Sequence, residues 1–484
     1  MAKVKPRVYR GMRDLLPEQV SARRWLIDTI RRVYELYGFV PLETSAIEYL
    51  DVLTGSAGDE ANRSIFRVSN PDKKPSDPDS EALGLRFDLT VPLARVVAQH
   101  RELPRPFRRY QIASVWRADK PGPGRFREFT QCDIDSVGVS SEVADVEIIA
   151  AMCDTLSALE VGNYLIRFSS RKILNLALPF ADIPADRAEA VFRVLDKLDK
   201  IGMKKVRLEL SGGYRDESGD SIPGVGLSGS QVGRIEQFLE LKSDKRDDLI
   251  RQLRETFASV AGAEDEISVL ERMSRQLAEL GYGDDRVCID LSVARGLAYY
   301  TGPVFEAILP DAPEFGSVFG GGRYDDLVRR FTGESIPATG ASIGVDRLLA
   351  ALTKLDKARE QKSTAQVLVS AIDPAMMDDY LQITYELRRA GISAEFYLGP
   401  PKRFGKQIKY ADQYEIPIVV VCGSDEKAEG TVTLKDMAAG RRRASEVQDR
   451  EAWRDERPGQ ITTPRGELVS SVRDLLDRIR RADA

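Results

Sequence analysis

The spacing of apolar residues along the chain predicts both helices and strands. Apolar side chains recur at helical spacing over residues 17–37, where Gly38 ends the run, and again over residues 140–159. Shorter apolar runs, which are typical of half-buried strands, occur over residues 112–116 and 129–137. We therefore expect an α/β (α+β) fold.

The two strand-like runs flank a turn-forming segment and together predict an antiparallel hairpin. Residues 120–124 read KPGPG, a composition that is typical of a loop. The legs of the hairpin carry Arg117, Arg125 and Arg127. Three unpaired arginines cannot easily enter an apolar core, and the guanidinium group suits the bidentate binding of phosphate. The pattern predicts an anion site, although an edge hairpin with a solvated charged face fits it as well.

Polar residues beside the arginines predict a binding site for a small ligand. Three of them alternate along the second leg and so share one face of the strand: Gln131, Asp133 and Asp135. Residues 85–93, LRFDLTVPL, predict a strand that enters a helix, with Asp88 and Thr90 on one face. A carboxylate beside a hydroxyl can accept hydrogen bonds from a ligand ammonium group. The alternative is that either residue caps the helix.

Changes in composition divide the chain into five parts. We expect a core in two parts, residues 1–180 and 287–353, a helical insertion at 181–286, a linker at 354–364 and an α/β domain at 365–484. Residues 224–229, GVGLSG, fit the dinucleotide pattern GxGxxG, but residues 218–223 do not read as a strand. The dinucleotide interpretation therefore fails its context test.

Composition and charge exclude several classes of site. The 484 residues include one histidine, His100, and four cysteines without CxxC spacing. A Ser-His-Asp triad, a Cys-His pair, a His-rich metal centre and a zinc site are thereby excluded. The net charge of −5 argues against a protein that coats nucleic acid through bulk charge. Neither a membrane-spanning run nor a signal peptide is evident, so we expect a cytoplasmic protein with reduced thiols.

The hairpin arginines are similar to motif 2 of the class II aminoacyl-tRNA synthetases, and residues 131–135, QCDID, resemble its form in the histidyl-tRNA synthetases. Further segments resemble this family. Residues 11–17 are similar to its N-terminal signature, 17–42 to motif 1 and 340–348 to motif 3. Residues 295–302 and 317–325 resemble its histidine-specific motifs, and residues 407–412 and 430–436 resemble its anticodon-binding domain. The family usually has Asp where this chain has Ala298, which puts in doubt a carboxylate role at that position.

The resemblance implies an antiparallel class II sheet flanked by helices, a helical insertion, a C-terminal anticodon-binding domain and a homodimer. It also implies a histidine–tRNA ligase, which activates L-histidine with ATP and transfers it to the 3′ end of tRNA(His). A second interpretation is a non-catalytic, histidine-sensing regulatory subunit of ATP phosphoribosyltransferase. A third is a purely RNA-binding protein.

The resemblance also assigns roles to individual residues. The catalytic residues would be Arg117 and Arg295. The histidine-binding residues would be Asp88, Leu89, Thr90, Arg117, Gln131, Asp135, Arg295, Tyr299, Tyr300 and Tyr324. The ATP-binding residues would be Arg117, Arg125, Arg127, Phe129 and Arg347. Magnesium would arrive with ATP, without a dedicated protein cage.

Overall fold

The structure is a computed structural model that describes residues 3–54, 64–70, 82–122, 124–195, 197–216, 219–293, 300–400, 403–437, 439 and 459–483. Contacts divide the chain into a first unit, Met1–Asp14 with Arg23–Ala358, and a second unit, Leu15–Ala22 with Arg359–Ala484. Among these described ranges, no helix is both long and apolar enough to cross a bilayer.

The first unit is built on a mixed sheet of eight strands. The strands of this unit are β1 (Val40–Pro41), β2 (Ile47–Tyr49), β3 (Arg67–Val68), β4 (Leu83–Leu85), β5 (Phe107–Trp116), β6 (Glu128–Val137), β7 (Leu165–Ser170), β8 (Gly213–Arg215), β9 (Ser221–Pro223), β10 (Val287–Ile289), β11 (Pro303–Ile308), β12 (Ser317–Arg323) and β13 (Ala338–Gly344). The large sheet has the order β1-β5-β6-β13-β12-β11-β7-β10, while β2-β4-β3 and β8-β9 form two small sheets. The six inner strands are antiparallel, as expected, and the outer strands β1 and β10 pair in parallel.

This part of the chain also contains α-helices. They are α1 (Pro17–Leu36), α2 (Leu50–Leu53), α3 (Thr90–Gln99), α4 (Val143–Ala158), α5 (Arg171–Phe180), α6 (Ala188–Leu195), α7 (Leu198–Leu210), α8 (Gly229–Leu239), α9 (Arg246–Thr256), α10 (Ala263–Glu279), α11 (Arg329–Thr332) and α12 (Val345–Lys354), with 3₁₀ turns at Ala185–Arg187 and Pro313–Phe315. Helix α4 is buried on most sides because it packs on the inner strands and also contacts α10. Val143 at its start is exposed, although its spacing predicted a buried side chain.

The residues between 181 and 286 are mostly helical, with the β8–β9 ribbon among the helices. Contrary to the sequence prediction, a strand does precede the GVGLSG segment: β9 ends at Pro223, and Ser228 caps α8. The strand belongs to a two-stranded antiparallel ribbon rather than to a βαβ unit, so the dinucleotide interpretation fails on topology. Gly224 is required for packing, because a Cβ there would lie 2.1 Å from the Ser211 carbonyl oxygen.

The second unit contains a five-stranded sheet of order β15-β14-β16-β17-β18. Its elements are β14 (Val367–Val369), α13 (Met377–Arg389), β15 (Ala394–Phe396), α14 (Phe404–Gln413), β16 (Ile418–Val421), α15 (Ser424–Glu429), β17 (Thr431–Asp436), β18 (Gln460–Pro464) and α16 (Leu468–Asp483), with 3₁₀ turns at Pro374–Met376 and Arg465–Glu467. Val367 and Val369 pack in one apolar cluster and Leu368 in another, so both faces of the sheet are covered. This alternation of helices and strands agrees with the α/β domain that the sequence pattern predicted for this part of the chain.

Candidate active site

A cavity of about 360 Å³ lies against one face of the large sheet. Most of the predicted site residues in the described part of the chain line it: Asp88, Thr90, Arg117, Arg125, Phe129, Gln131, Asp135, Tyr300, Tyr324 and Arg347. A cavity of this size with converging polar groups is typical of a small-molecule site. Residues that are distant in sequence are brought together because β6 and β13 are neighbours in the sheet.

Two of the predicted residues do not line the cavity. The side chain of Leu89 is buried in the core. The guanidinium group of Arg127 donates to the carbonyl oxygens of Asp119 and Arg10, each at 3.2 Å, and lies 5.3 Å from the ring of Tyr9. In this arrangement Arg127 holds the N-terminal segment against the hairpin and does not face the cavity.

Three residues discussed in the sequence analysis, Arg295, Ala298 and Tyr299, lie outside the described residues, in 294–299. The described chain reaches the cavity on both sides of that segment, at Val293 and Tyr300.

Glycines on β12 and β13 create space for the polar side chains above the sheet. Gly340 lies directly opposite Asp135, and a Cβ at Gly340 would come within 2.0 Å of Asp135 Oδ1. A Cβ at Gly322 would lie 2.9 Å from the ring of Tyr300. Any side chain at these two positions would therefore displace a group that lines the cavity.

Asp135 is held by groups that the sheet register places around it. Arg109 on β5 is directly opposite Asp135, is fully buried and forms an ion pair with it at 2.7 Å. The hydroxyl of Tyr324 donates to the other carboxylate oxygen. Burial raises the pKa of Asp135, while Arg109 and Tyr324 act in the opposite direction. The side chain is thus oriented before any ligand enters.

Asp88 lies in the connection between β4 and α3, so the predicted strand ends earlier than expected, at Leu85. Its carboxylate accepts a hydrogen bond from the Val91 backbone N–H at 3.1 Å. Asp88 therefore caps the helix and also lines the cavity. Burial raises the pKa of Asp88 to about 6, against the opposing effects of the Val91 N–H and of Arg117.

Arginines lie at the hairpin end of the cavity. The Nε of Arg117 donates to the Phe87 carbonyl at 2.8 Å, and its guanidinium carbon lies 5.2 Å from the centre of the Phe129 ring. Arg347, at the start of α12, donates from Nη1 to the Ser317 carbonyl at 2.8 Å. These contacts fix the planes of two guanidinium groups that line the cavity together with Arg125.

The sheet register separates the two kinds of charge along the strand direction. Phe129 and Asp135 are six residues apart on β6, a distance of about 20 Å along an extended strand. Gly344 pairs with Gln131, so α12 and Arg347 begin on the arginine side. The cavity can therefore bind anionic groups at its hairpin end and a cationic or polar group over its acidic floor.

The sequence analysis did not assign Arg109, Asp133, Ser342 or Asp346 to the site. A signal for Arg109 was present, since a charged residue within a strand must find a partner on the same face. Asp133 was recognised only as one of three alternating polar residues. No sequence pattern around Ser342 indicated a role in the site. Asp346 accepts hydrogen bonds from Arg13 and from the Thr130 N–H, the latter at 2.7 Å, and so connects α12 to β6.

Comparisons with known proteins agree with this geometry. The histidyl-tRNA synthetase family model matches residues 11–348, and an anticodon-binding domain model matches residues 366–455. A histidine–tRNA ligase from Cereibacter sphaeroides is 45% identical over 489 residues, which is 96% of this chain and 97% of the relative. The corresponding protein of Caulobacter vibrioides is 43% identical over 485 residues, 97% of this chain and 96% of the relative.

Solved structures give the same result for the fold. The histidyl-tRNA synthetase of Nostoc sp. PCC 7120 superposes with a TM-score of 0.81 at 32% identity, covering 98% of this chain and all of that one. A Bacillus halodurans protein described as an ATP phosphoribosyltransferase regulatory subunit/histidyl-tRNA synthetase has a TM-score of 0.66 at 21% identity, covering 85% of this chain and 98% of that one. The second likeness concerns the fold alone.

Proposed function

The chain belongs to the histidyl-tRNA synthetase family, and from this premise we propose how its residues share the work of a histidine–tRNA ligase. The enzyme activates L-histidine with ATP and then transfers it to tRNA(His). This assignment of residues rests on a single cavity that has arginines at its hairpin end and carboxylates along its floor. Such a cavity accommodates a triphosphate beside an amino acid.

In the activation step, a carboxylate oxygen of histidine attacks the α-phosphorus of ATP. A bond forms between this oxygen and the α-phosphorus. The bond from the α-phosphorus to the oxygen that joins it to the β-phosphorus breaks, and diphosphate leaves with the electron pair of that bond. The carboxylate is already a nucleophile, so the step requires positioning and charge neutralisation rather than a general base. Arg117 neutralises the α-phosphate, Arg125 and Arg347 hold the γ-phosphate, and Phe129 stacks against adenine. Arg295 supplies a second positive charge at the α-phosphate.

Histidine is recognised at its two polar ends. Asp88, Thr90 and Gln131 accept hydrogen bonds from the α-ammonium group, while Asp135 and Tyr300 bind the imidazole nitrogens. Tyr324 supports this arrangement through its hydrogen bond to Asp135. Tyr299 is included among the histidine-binding residues on the family resemblance alone. A site that pairs buried polar groups with a polar substrate can reject analogues by roughly 10⁴–10⁵-fold.

The transfer step needs the second unit as well as the cavity. A ribose hydroxyl of the terminal tRNA nucleotide attacks the carbonyl carbon of the adenylate, and AMP leaves. The anticodon-binding domain match at residues 366–455 assigns recognition of the tRNA to the C-terminal part of the chain. We place this reaction in the cytoplasm, where tRNA is charged, and in a homodimer formed through the motif 1 segment of α1 and β1.

We propose that magnesium enters the site together with ATP. Within the described ranges, no group of three or more histidine, cysteine, aspartate or glutamate side chains is placed to hold a metal ion. The ion would take ligands from the β- and γ-phosphates and from water, and would add positive charge beside Arg125 and Arg347.

The regulatory-subunit interpretation is not favoured. Arg117, Arg125 and Arg347 line one cavity, and a protein that only senses histidine has no need of three phosphate-binding arginines. The anticodon-binding domain is also present.

The decisive test is ATP–diphosphate exchange without tRNA, measured for the wild type, Arg295→Ala and Arg295→Lys. We expect exchange that requires histidine, collapses in the alanine variant and partly returns with lysine, because lysine restores the charge but not the guanidinium geometry. A folded wild type that binds histidine yet catalyses no exchange would instead support the regulatory interpretation. Equal activity of all three proteins would remove Arg295 from the mechanism.

A further inference from the structure

Three polar residues on two neighbouring strands form a hydrogen-bonded chain along the cavity floor. Asp133 on β6 and Ser342 on β13 are directly opposite in the sheet register. Gln131 lies two residues before Asp133 and therefore on the same face. Its Nε2 donates to Ser342 Oγ at 2.7 Å, and the Ser342 hydroxyl is hydrogen-bonded to the Asp133 carboxylate. All three side chains line the cavity.

Burial raises the pKa of Asp133 to about 7, and once Asp133 is ionised the chemistry of these groups allows only one direction for the hydrogen-bonded chain. A carboxamide nitrogen can only donate and an ionised carboxylate can only accept, so the single hydroxyl proton of Ser342 must go to Asp133. The lone pair of Ser342 then accepts from Gln131 Nε2. Gln131 is consequently held with its nitrogen toward Ser342 and its oxygen turned away.

The oxygen end of Gln131 lacks a partner within the described chain. Gln131 Oε1 is buried and accepts no hydrogen bond from the described residues, and the same is true of Asp133 Oδ1. Leaving a buried acceptor unsatisfied costs about 1–3 kcal/mol. Two such acceptors in one cavity therefore indicate that a ligand with several N–H donors completes the site, and a primary ammonium group has three.

We propose that Ser342, anchored by Asp133, is a positioning residue that locks the Gln131 carboxamide with its oxygen toward the ammonium group of the substrate. The inference rests on the proposed function, which assigns Gln131 to that ammonium group. Without the lock, a half-turn of the carboxamide replaces the acceptor by an N–H₂ donor, and a donor repels a cation. Ser342 thereby selects substrates that carry a primary ammonium group.

The test compares two ligands that each lack one end of histidine. L-histidinol keeps the ammonium group and lacks the carboxylate, whereas 3-(imidazol-4-yl)propionate keeps the carboxylate and lacks the ammonium group. We expect Ser342→Ala to weaken the binding of histidine and of histidinol by roughly tenfold, the value of one hydrogen bond to a charged group. Binding of the propionate and the KM for ATP should stay unchanged. Ser342→Thr, which keeps the hydroxyl group, should restore the wild-type values.

Two controls separate positioning from a general structural effect. Ser136→Ala removes a buried serine of β6 that faces away from the cavity, so it should not change the ratio of the two affinities. In a Gln131→Ala background, Ser342→Ala should have no further effect on histidinol, because Ser342 acts through Gln131. Equal weakening of both ligands by Ser342→Ala, or additive losses in the double variant, would overturn the proposal.

The same experiment distinguishes failure of the inference from failure of the proposed function. If the wild type shows no histidine-dependent exchange, the proposed function fails and the inference fails with it. If the wild type exchanges normally but Ser342→Ala binds histidinol as the wild type does, the inference alone is wrong.

Discussion

Asp88 combines a proposed function in histidine binding with a cost to folding, and Asp88→Asn should separate the two. The carboxylate is enclosed at the cavity and has a pKa of about 6 rather than the ordinary 3.8. A difference of one between the folded and unfolded pKa corresponds to about 1.4 kcal/mol, so ionised Asp88 costs at most about 3 kcal/mol of stability. Asp88 is only half-buried, and solvent screening reduces the value to about 1–2 kcal/mol.

Because the folded pKa is raised, this group favours folding below about pH 4 and loses that contribution as the pH rises through 6. Asp88→Asn should therefore be more stable than the wild type at pH 7.5, with a melting temperature higher by roughly 1–3 °C. Roughly a third of the advantage should remain at pH 4.5. The asparagine oxygen can still accept from the Val91 N–H, so the cap is kept. Asp88→Ala also removes the helix cap, which costs about 1 kcal/mol. The alanine variant should therefore gain less stability over the wild type than the asparagine variant does.

Histidine binding should change in the opposite direction. Loss of a charge-assisted hydrogen bond to the ammonium group weakens affinity by roughly 10–100-fold. The assay is thermal unfolding of the wild type and both variants from pH 4.5 to 8, together with the KM for histidine in diphosphate exchange. An asparagine variant that is no more stable than the wild type at pH 7.5, or whose advantage does not depend on pH, would refute the argument from burial.

Three further substitutions test two positions in the cavity and one buried ion pair outside it. Arg117→Lys should reduce diphosphate exchange by roughly 10²–10³-fold, because lysine cannot both bond the backbone and present a planar fork; unchanged kcat would contradict this role. Gly340→Ala should destabilise the protein by about 1–3 kcal/mol and raise the KM for histidine, because its Cβ would collide with Asp135; a well-folded variant with wild-type KM would show that the floor can adjust. Arg323→Ala removes the partner of buried Asp145, 2.7 Å away, and should lower the free energy of unfolding by about 3–5 kcal/mol; chemical denaturation measures it, and a loss below 1 kcal/mol would mean that Asp145 is solvated or neutral.

Much of the fold and of the site followed from local patterns in the chain. The hairpin was predicted from two apolar runs around KPGPG, and the structure has β5 and β6 there. Alternation placed Gln131 and Asp135 on one face, where the cavity lies. These predictions depend on neighbours in sequence, because strand alternation and turn composition are properties of a few consecutive residues.

Local patterns were less informative where an element is short or packed on several sides. The strand β18 has five residues and pairs with β17 after a long intervening segment. Helix α4 looked amphipathic, yet it is buried on most sides because the sheet and α10 both pack against it. Periodicity reports one buried face and cannot show a second covering layer.

Family resemblance and periodicity identified candidate site residues, but only the tertiary structure decided which groups these residues contact. Arg127 resembled an ATP ligand by its place in the motif, and in the fold it bonds two carbonyl groups away from the cavity. Arg109 gained its importance from lying opposite Asp135.

Ser342 is separated from Gln131 by 211 positions in sequence. The sequence by itself determined most of the elements, the family and most of the chemical inventory of the site. Sheet register and burial then decided which charged side chains form ion pairs and which hydrogen-bond acceptors remain open to a ligand. They also decided the orientation of the Gln131 carboxamide. All three depend on strands that come together only after folding.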